Sequence, residues 1–243
     1  MTSSARLAFP ANYWRLAQSP RYSLSFAFPL LVAYEALALL LSRLEMVRVR
    51  NGADVLLKQL FVGLGGRYGL ALFGLVLVGG GAVLIGRDIR RSGGIRPRYF
   101  VFMAAESIAY GLIFGLVAGT LTGLLPRLAL APATLGLPAQ VMVSLGAGIY
   151  EELVFRVLLV SGLMLIARKG FGWSRQGASL FAVILGALIF SAFHYVGGYG
   201  ERFALGSFTF RAIAGLLFSA LYLLRGFGIT AWTHALYDIF LAF

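Results

Sequence analysis

A chain of 243 residues that is 60% hydrophobic and 12% charged, with a mean hydropathy of +0.86, lies far from the composition of soluble domains, where about a quarter of residues are charged. The absence of cysteine excludes disulfides, a thiol nucleophile and thiolate metal ligands. The net charge of +12 sits mainly in short loops between apolar runs, a pattern that sets membrane topology against anionic lipid rather than one that binds nucleic acid.

Residues 1–22 read as an N-terminal arm with Arg6, Arg15, Arg21, Pro10 and Pro20, and with Tyr13 and Trp14 placed for a membrane interface. The apolar run that follows is too long for the core of a cleavable signal and lacks a small-residue cleavage site. A first span is expected over residues 24–44, carrying the lone acid Glu35, for which packing or hydrogen bonding is the favoured role. Residues 53–64 are apolar but short, which suggests an interfacial or re-entrant segment. A second span over residues 69–86 leads into the densest positive loop, with Arg87, Arg90, Arg91, Arg96 and Arg98. A third span over residues 99–125 contains Glu106, for which a bond to a neighbouring hydroxyl competes with a functional role. Pro126, Pro132 and Pro138 mark a connection to a fourth span over residues 139–166. Further spans are expected over residues 177–195, 203–224 and 229–243, with Arg211 inside the sixth.

The expected fold is therefore an all-α polytopic bundle of about seven transmembrane helices, eight if residues 53–64 also cross, forming one integral membrane domain over residues 1–243. With seven spans and a cytoplasmic N-terminus, the inside regions hold twelve Lys or Arg and the outside regions about seven, which favours that orientation.

The fourth span carries the stretch around which the chain is organised: Tyr150, Glu151, Glu152, Leu153, Val154, Phe155, Arg156. A charge at the centre of a spanning helix costs about 2.5–3.5 kcal/mol on insertion scales, so two acids and a base there demand a reason. Glu152 and Arg156 stand four apart, acid first, which suits an ion pair that supports the helix. Glu151 points about 100° away and has no partner in its own helix. The two histidines of the chain both lie in apolar spans: His194 four residues after Phe190, and His234 four residues before Asp238 on one helix face. A glutamate and a histidine can share and deprotonate a water, and a second histidine can donate to a developing oxyanion. That set suffices to hydrolyse an amide without a covalent intermediate. Two histidines and a glutamate (Glu151, His194, His234) can also hold zinc, so a zinc site is the alternative to a metal-free one, although no His-Glu-x-x-His helix is present.

Glu-Glu-x-x-x-Arg at 151–156, Phe-x-x-x-His at 190–194 and His-x-x-x-Asp at 234–238 resemble the three motifs of the CPBP family, which includes type II CAAX prenyl endopeptidases and bacteriocin-processing and abortive-infection membrane proteins. The resemblance covers the motif-bearing half, residues 139–243. It implies an intramembrane endopeptidase acting on a membrane-associated protein or peptide, with a CAAX-like or C-terminal maturation segment as substrate and no nucleic acid partner. It further implies that Glu151 and His194 activate water, that His234 and Asp238 support the oxyanion, and that Glu152, Arg156 and Phe190 structure the site. The third motif often ends in Asn; Asp238 instead orients His234, donates only when protonated, or serves as a ligand. A bacterial inner membrane is the expected location. The competing reading is a non-catalytic scaffold or transporter-like protein, which would be expected to show inverted repeats or broken helices.

Overall fold

The computed structural model describes residues 12–44, 50–124, 135–197 and 200–242. The connection containing Pro126 and Pro132 lies outside the described residues. Among the described residues every regular element is helical: α1 (Tyr13–Ala17), α2 (Pro20–Arg43), α3 (Gly52–Gly65), α4 (Gly69–Gly74), α5 (Gly80–Ser92), α6 (Arg98–Leu124), α7 (Leu137–Gly146), α8 (Ser161–Gly170), α9 (Arg175–Phe193), α10 (Leu205–Arg225) and α11 (Phe227–Ala242). This is the all-α membrane bundle that the hydropathy pattern predicts.

Among the described residues five helical runs are long and apolar enough to cross a membrane: Pro20–Arg43, Gly52–Ser92, Arg98–Ala118, Arg175–Phe193 and Leu205–Arg225. Their outer faces carry exposed leucine and valine, such as Val101, Leu116 and Leu180, as a bundle solvated by hydrocarbon requires. The second run is not straight. At 14 residues α3 is about 21 Å long, short of the roughly 30 Å hydrocarbon core. It ends at Gly66, whose φ of +53° is the left-handed conformation that glycine adopts without strain. A 3-10 turn over Gly66–Tyr68 then sends α4 back against α3. The short apolar segment at residues 53–64 is thus a helix that turns back, and α4 and α5, joined by a π-helical turn at Leu75–Gly79, supply the longer part of this apolar run.

Local chemistry sets the ends. Pro20 opens α2, where its missing N–H is no loss. Asn51 caps α3, its Oδ1 accepting from Ala53 N at 2.9 Å. α11 lies at the centre of the bundle, against α2, α6, α7 and α10. The core there gathers Tyr34, Met142, Ile149, Tyr150, Ala231 and Ala235.

Two acids of the first half have structural partners. Glu106 accepts from the Tyr13 hydroxyl at 2.7 Å and pairs with Arg225 Nη2 at 2.7 Å, tying α6 to α1 and α10. Glu35 pairs with Lys58 at 2.8 Å and Arg50 at 3.2 Å, and accepts from the Tyr150 hydroxyl at 2.6 Å. Arg211 pairs with Glu201 at 2.7 Å.

Candidate active site

The Glu-Glu stretch does not lie on a regular α-helix. Between α7 and α8 the chain is π-helical over Ala147–Glu151 and again over Leu153–Val160. Such widened turns are rare and occur mostly as single bulges, often at functional sites. Here the widening falls on the charged residues. Gly148 brings α11 into contact at this point: a Cβ there would stand 2.4 Å from the Ala231 carbonyl oxygen, so no larger residue fits. The close approach delivers His234 to the carboxylates.

Glu152, fully buried, divides its two oxygens between two helices. Oε1 lies 2.6 Å from His234 Nδ1, and Oε2 lies 3.2 Å from Arg156 Nε on its own helix. An ionised carboxylate only accepts, so the first contact places a proton on His234 Nδ1. The Arg156 Nη atoms meet no oxygen among the described residues. The guanidinium rests instead on aromatic faces, 4.5 Å from the Phe190 ring centre and 5.6 Å from that of Phe218. Phe218 also stacks on His234 at 4.3 Å. Phe190 thus has two tasks, since its ring edge also meets the His194 ring at 5.1 Å.

Glu151 is half-buried, and its Oε1 accepts from Asn51 Nδ2 at 2.8 Å. Among the described residues its Oε2 takes no hydrogen bond. His194 caps the end of α9, with Nδ1 3.0 Å from the Phe190 carbonyl. A carbonyl cannot donate, so Nδ1 carries the proton and, in the neutral ring, Nε2 holds a free lone pair. Asp238 stands one turn beyond His234, with Oδ2 3.7 Å from His234 Nε2, an ionic neighbour beyond hydrogen-bond length. His194 and Asp238, like Glu151, are only partly buried, whereas Glu152, Arg156 and His234 form the buried floor.

Residues 132–240 match the family model of Type II CAAX prenyl endopeptidase Rce1-like proteins. That stretch, somewhat less than half of the chain, is similar to an Rce1-like CAAX endopeptidase domain. This is the family that the three motifs resemble, and it is one of membrane proteases. No curated protein and no solved structure matches the chain. The Rce1-like region begins just before α7, so it holds all three motifs and leaves α1 to α6 outside.

Zinc takes three or four donors at about 2.0–2.2 Å. Among the described residues no three His, Asp or Glu side chains gather as donors for one ion. As the side chains stand, the set Glu151, His194 and His234 does not fit zinc. Sequence reasoning missed Asn51, Phe218 and the reach of Glu152 to His234. Only the first left a local trace, an Asn directly before a helix, which signals a cap but not a bond 100 residues along the chain.

Proposed function

We propose that the chain is an intramembrane endopeptidase that hydrolyses a peptide bond of a membrane-associated substrate with water activated by Glu151 and His194, without a covalent intermediate and without a metal. The observation that carries this reading is the 2.6 Å bond by which Glu152 of the first motif grips His234 of the third. It ties the histidine to the helix that carries Glu151, one of whose oxygens takes no hydrogen bond among the described residues.

The roles follow from the free lone pairs and protons. Glu151 Oε2 and His194 Nε2 accept the hydrogens of one water. As its oxygen bonds to the scissile carbonyl carbon, one proton passes to Glu151 and the carbonyl electrons move onto oxygen. His234, doubly protonated, donates from Nδ1 to Glu152 and from Nε2 to the oxyanion. The carbon–nitrogen bond then breaks, and the proton held by Glu151 goes to the leaving amine. General base catalysis of this kind contributes about 10²–10⁴-fold, and an oxyanion donor a similar factor. Asp238 sits where its charge acts on His234 Nε2, and Arg156 offsets the charge of Glu152. Burial of the floor keeps bulk water from competing for these bonds.

The similarity over residues 132–240 supports as substrate a membrane-associated protein or peptide, here taken to carry a CAAX-like or C-terminal maturation segment. A bacterial inner membrane with a cytoplasmic N-terminus fits the distribution of basic loops. The test is cleavage in proteoliposomes of an internally quenched, farnesylated CAAX peptide and of membrane-anchored peptides without the lipid. A single scissile bond, cut at an unchanged rate after dialysis against a chelator, is expected. Cleavage lost on chelation and restored by zinc, or no cleavage of any tethered peptide, would contradict the reading.

A further inference from the structure

We propose that Asn51 is a positioning residue for Glu151: its side-chain amide holds the carboxylate in the orientation from which it takes a proton. The inference rests on the assignment of Glu151 as base. It adds the residue that caps α3, outside the matched region at residues 132–240.

The geometry leaves Asn51 little freedom. The residue is 4% exposed. Its Oδ1 is committed as the cap of α3, accepting from Ala53 N at 2.9 Å. The amide therefore faces Glu151 with its nitrogen, the only end that can donate, at 2.8 Å from Oε1. Its backbone N–H donates to the Tyr34 hydroxyl at 3.3 Å, and that hydroxyl donates to Asp54 Oδ2 at 2.8 Å. Asp54 is fully buried and is clamped by Arg50 at 2.9 Å and Lys58 at 2.7 Å. Gly146 admits the contact: a Cβ there would lie 2.8 Å from the Asn51 Cβ.

The same cluster holds the backbone beside Glu151. Lys58 and Arg50 also bind Glu35, which accepts from the hydroxyl of Tyr150, the residue preceding Glu151. Glu151 is thus fixed twice from α2 and α3, through its side chain by Asn51 and through its neighbour by Glu35. One oxygen is occupied by a donor that cannot take up a proton from it, and the other is left for water. A catalytic group displaced by about 1 Å costs on the order of 10²-fold in rate, which sets the scale for losing this hold.

Two substitutions separate the cap from the hold. Asn51→Asp and Asn51→Ser both keep a good cap acceptor, since Asn, Asp and Ser rank alike at that position. Asn51→Asp sets an anion against Glu151, and Asn51→Ser removes the amide donor. Both variants, with Glu151→Gln as reference, are purified in the full chain, checked for thermal stability, and assayed for kcat and KM on the tethered peptide. Expected are melting temperatures near that of the unsubstituted protein, KM within about twofold, and kcat lowered about 10–100-fold, more for Asp than for Ser. Unchanged kcat in both, beside an inactive Glu151→Gln, overturns the role of Asn51 while the base assignment stands. Loss of folded protein in both makes Asn51 a structural cap and overturns it equally. An active Glu151→Gln removes the base itself, a distinct result that ends both readings.

Discussion

Replacing Arg156 by alanine tests how the buried floor is held. The guanidinium is 1% exposed and the carboxylate it faces is 0% exposed. Its removal leaves Glu152 with His234 as its one remaining partner among the described residues and takes a cation from the faces of Phe190 and Phe218. Breaking one side of a buried ion pair costs about 3–5 kcal/mol, because the charge left behind stays out of water. A desolvated cation–π contact is worth about 2 kcal/mol, part of which lies within the same figure. For a chain of this size, about 2–4 °C of melting temperature is lost per kcal/mol, so Arg156→Ala should melt roughly 6–20 °C lower. The assay is thermal unfolding in detergent at a fixed scan rate, with folded yield from membranes. The cause is separable by a double-mutant cycle: if the stranded charge is the cost, Glu152→Gln should be less harmful in the Arg156→Ala background than alone. An Arg156→Ala protein with unchanged melting temperature and yield would refute the reasoning. Strict additivity in the cycle would refute the pairing.

Gly148→Ala should weaken the α11 contact, since its Cβ would lie 2.4 Å from a backbone oxygen; lower thermal stability with reduced turnover is expected, and a normal protein would show that α11 yields easily. Asp238→Asn keeps the shape beside His234 and adds a donor, so turnover should survive at a sizeable fraction; a loss of orders of magnitude together with stoichiometric zinc would reinstate the metal scheme. Glu106→Gln removes the charge facing Arg225 and should lower melting temperature without changing KM; an altered KM at unchanged stability would place Glu106 in substrate binding.

The parts of this picture that were legible in the sequence are those set by local spacing. Apolar runs of spanning length give the helices, and the four-residue intervals of Glu152–Arg156 and His234–Asp238 place each pair on one face. The short run at residues 53–64 announces itself by length alone as something other than a full crossing. What spacing could not convey is which helix faces which. Glu152 was readable as the partner of Arg156, but its second oxygen reaches a histidine 82 residues away, and that pairing depends on the close approach at Gly148. The π-helical geometry is equally silent, because the residue spacing over Ala147–Glu151 and Leu153–Val160 does not distinguish a widened turn from an ordinary one. Asn51 lies in a stretch that reads as mixed and basic, and its bond to Glu151 depends on the α3 turn and on Tyr34 beneath it.

The most direct measurement is the single-turnover rate of Glu151→Gln beside the unsubstituted protein, both folded in proteoliposomes and freed of metal, on one membrane-tethered peptide. Glutamine keeps the shape and can still bond to Asn51 but cannot accept the water proton, so the rate should fall by about 10²–10⁴-fold while substrate binding stays intact. A Glu151→Gln enzyme that cuts within a few-fold of the unsubstituted rate would contradict the account.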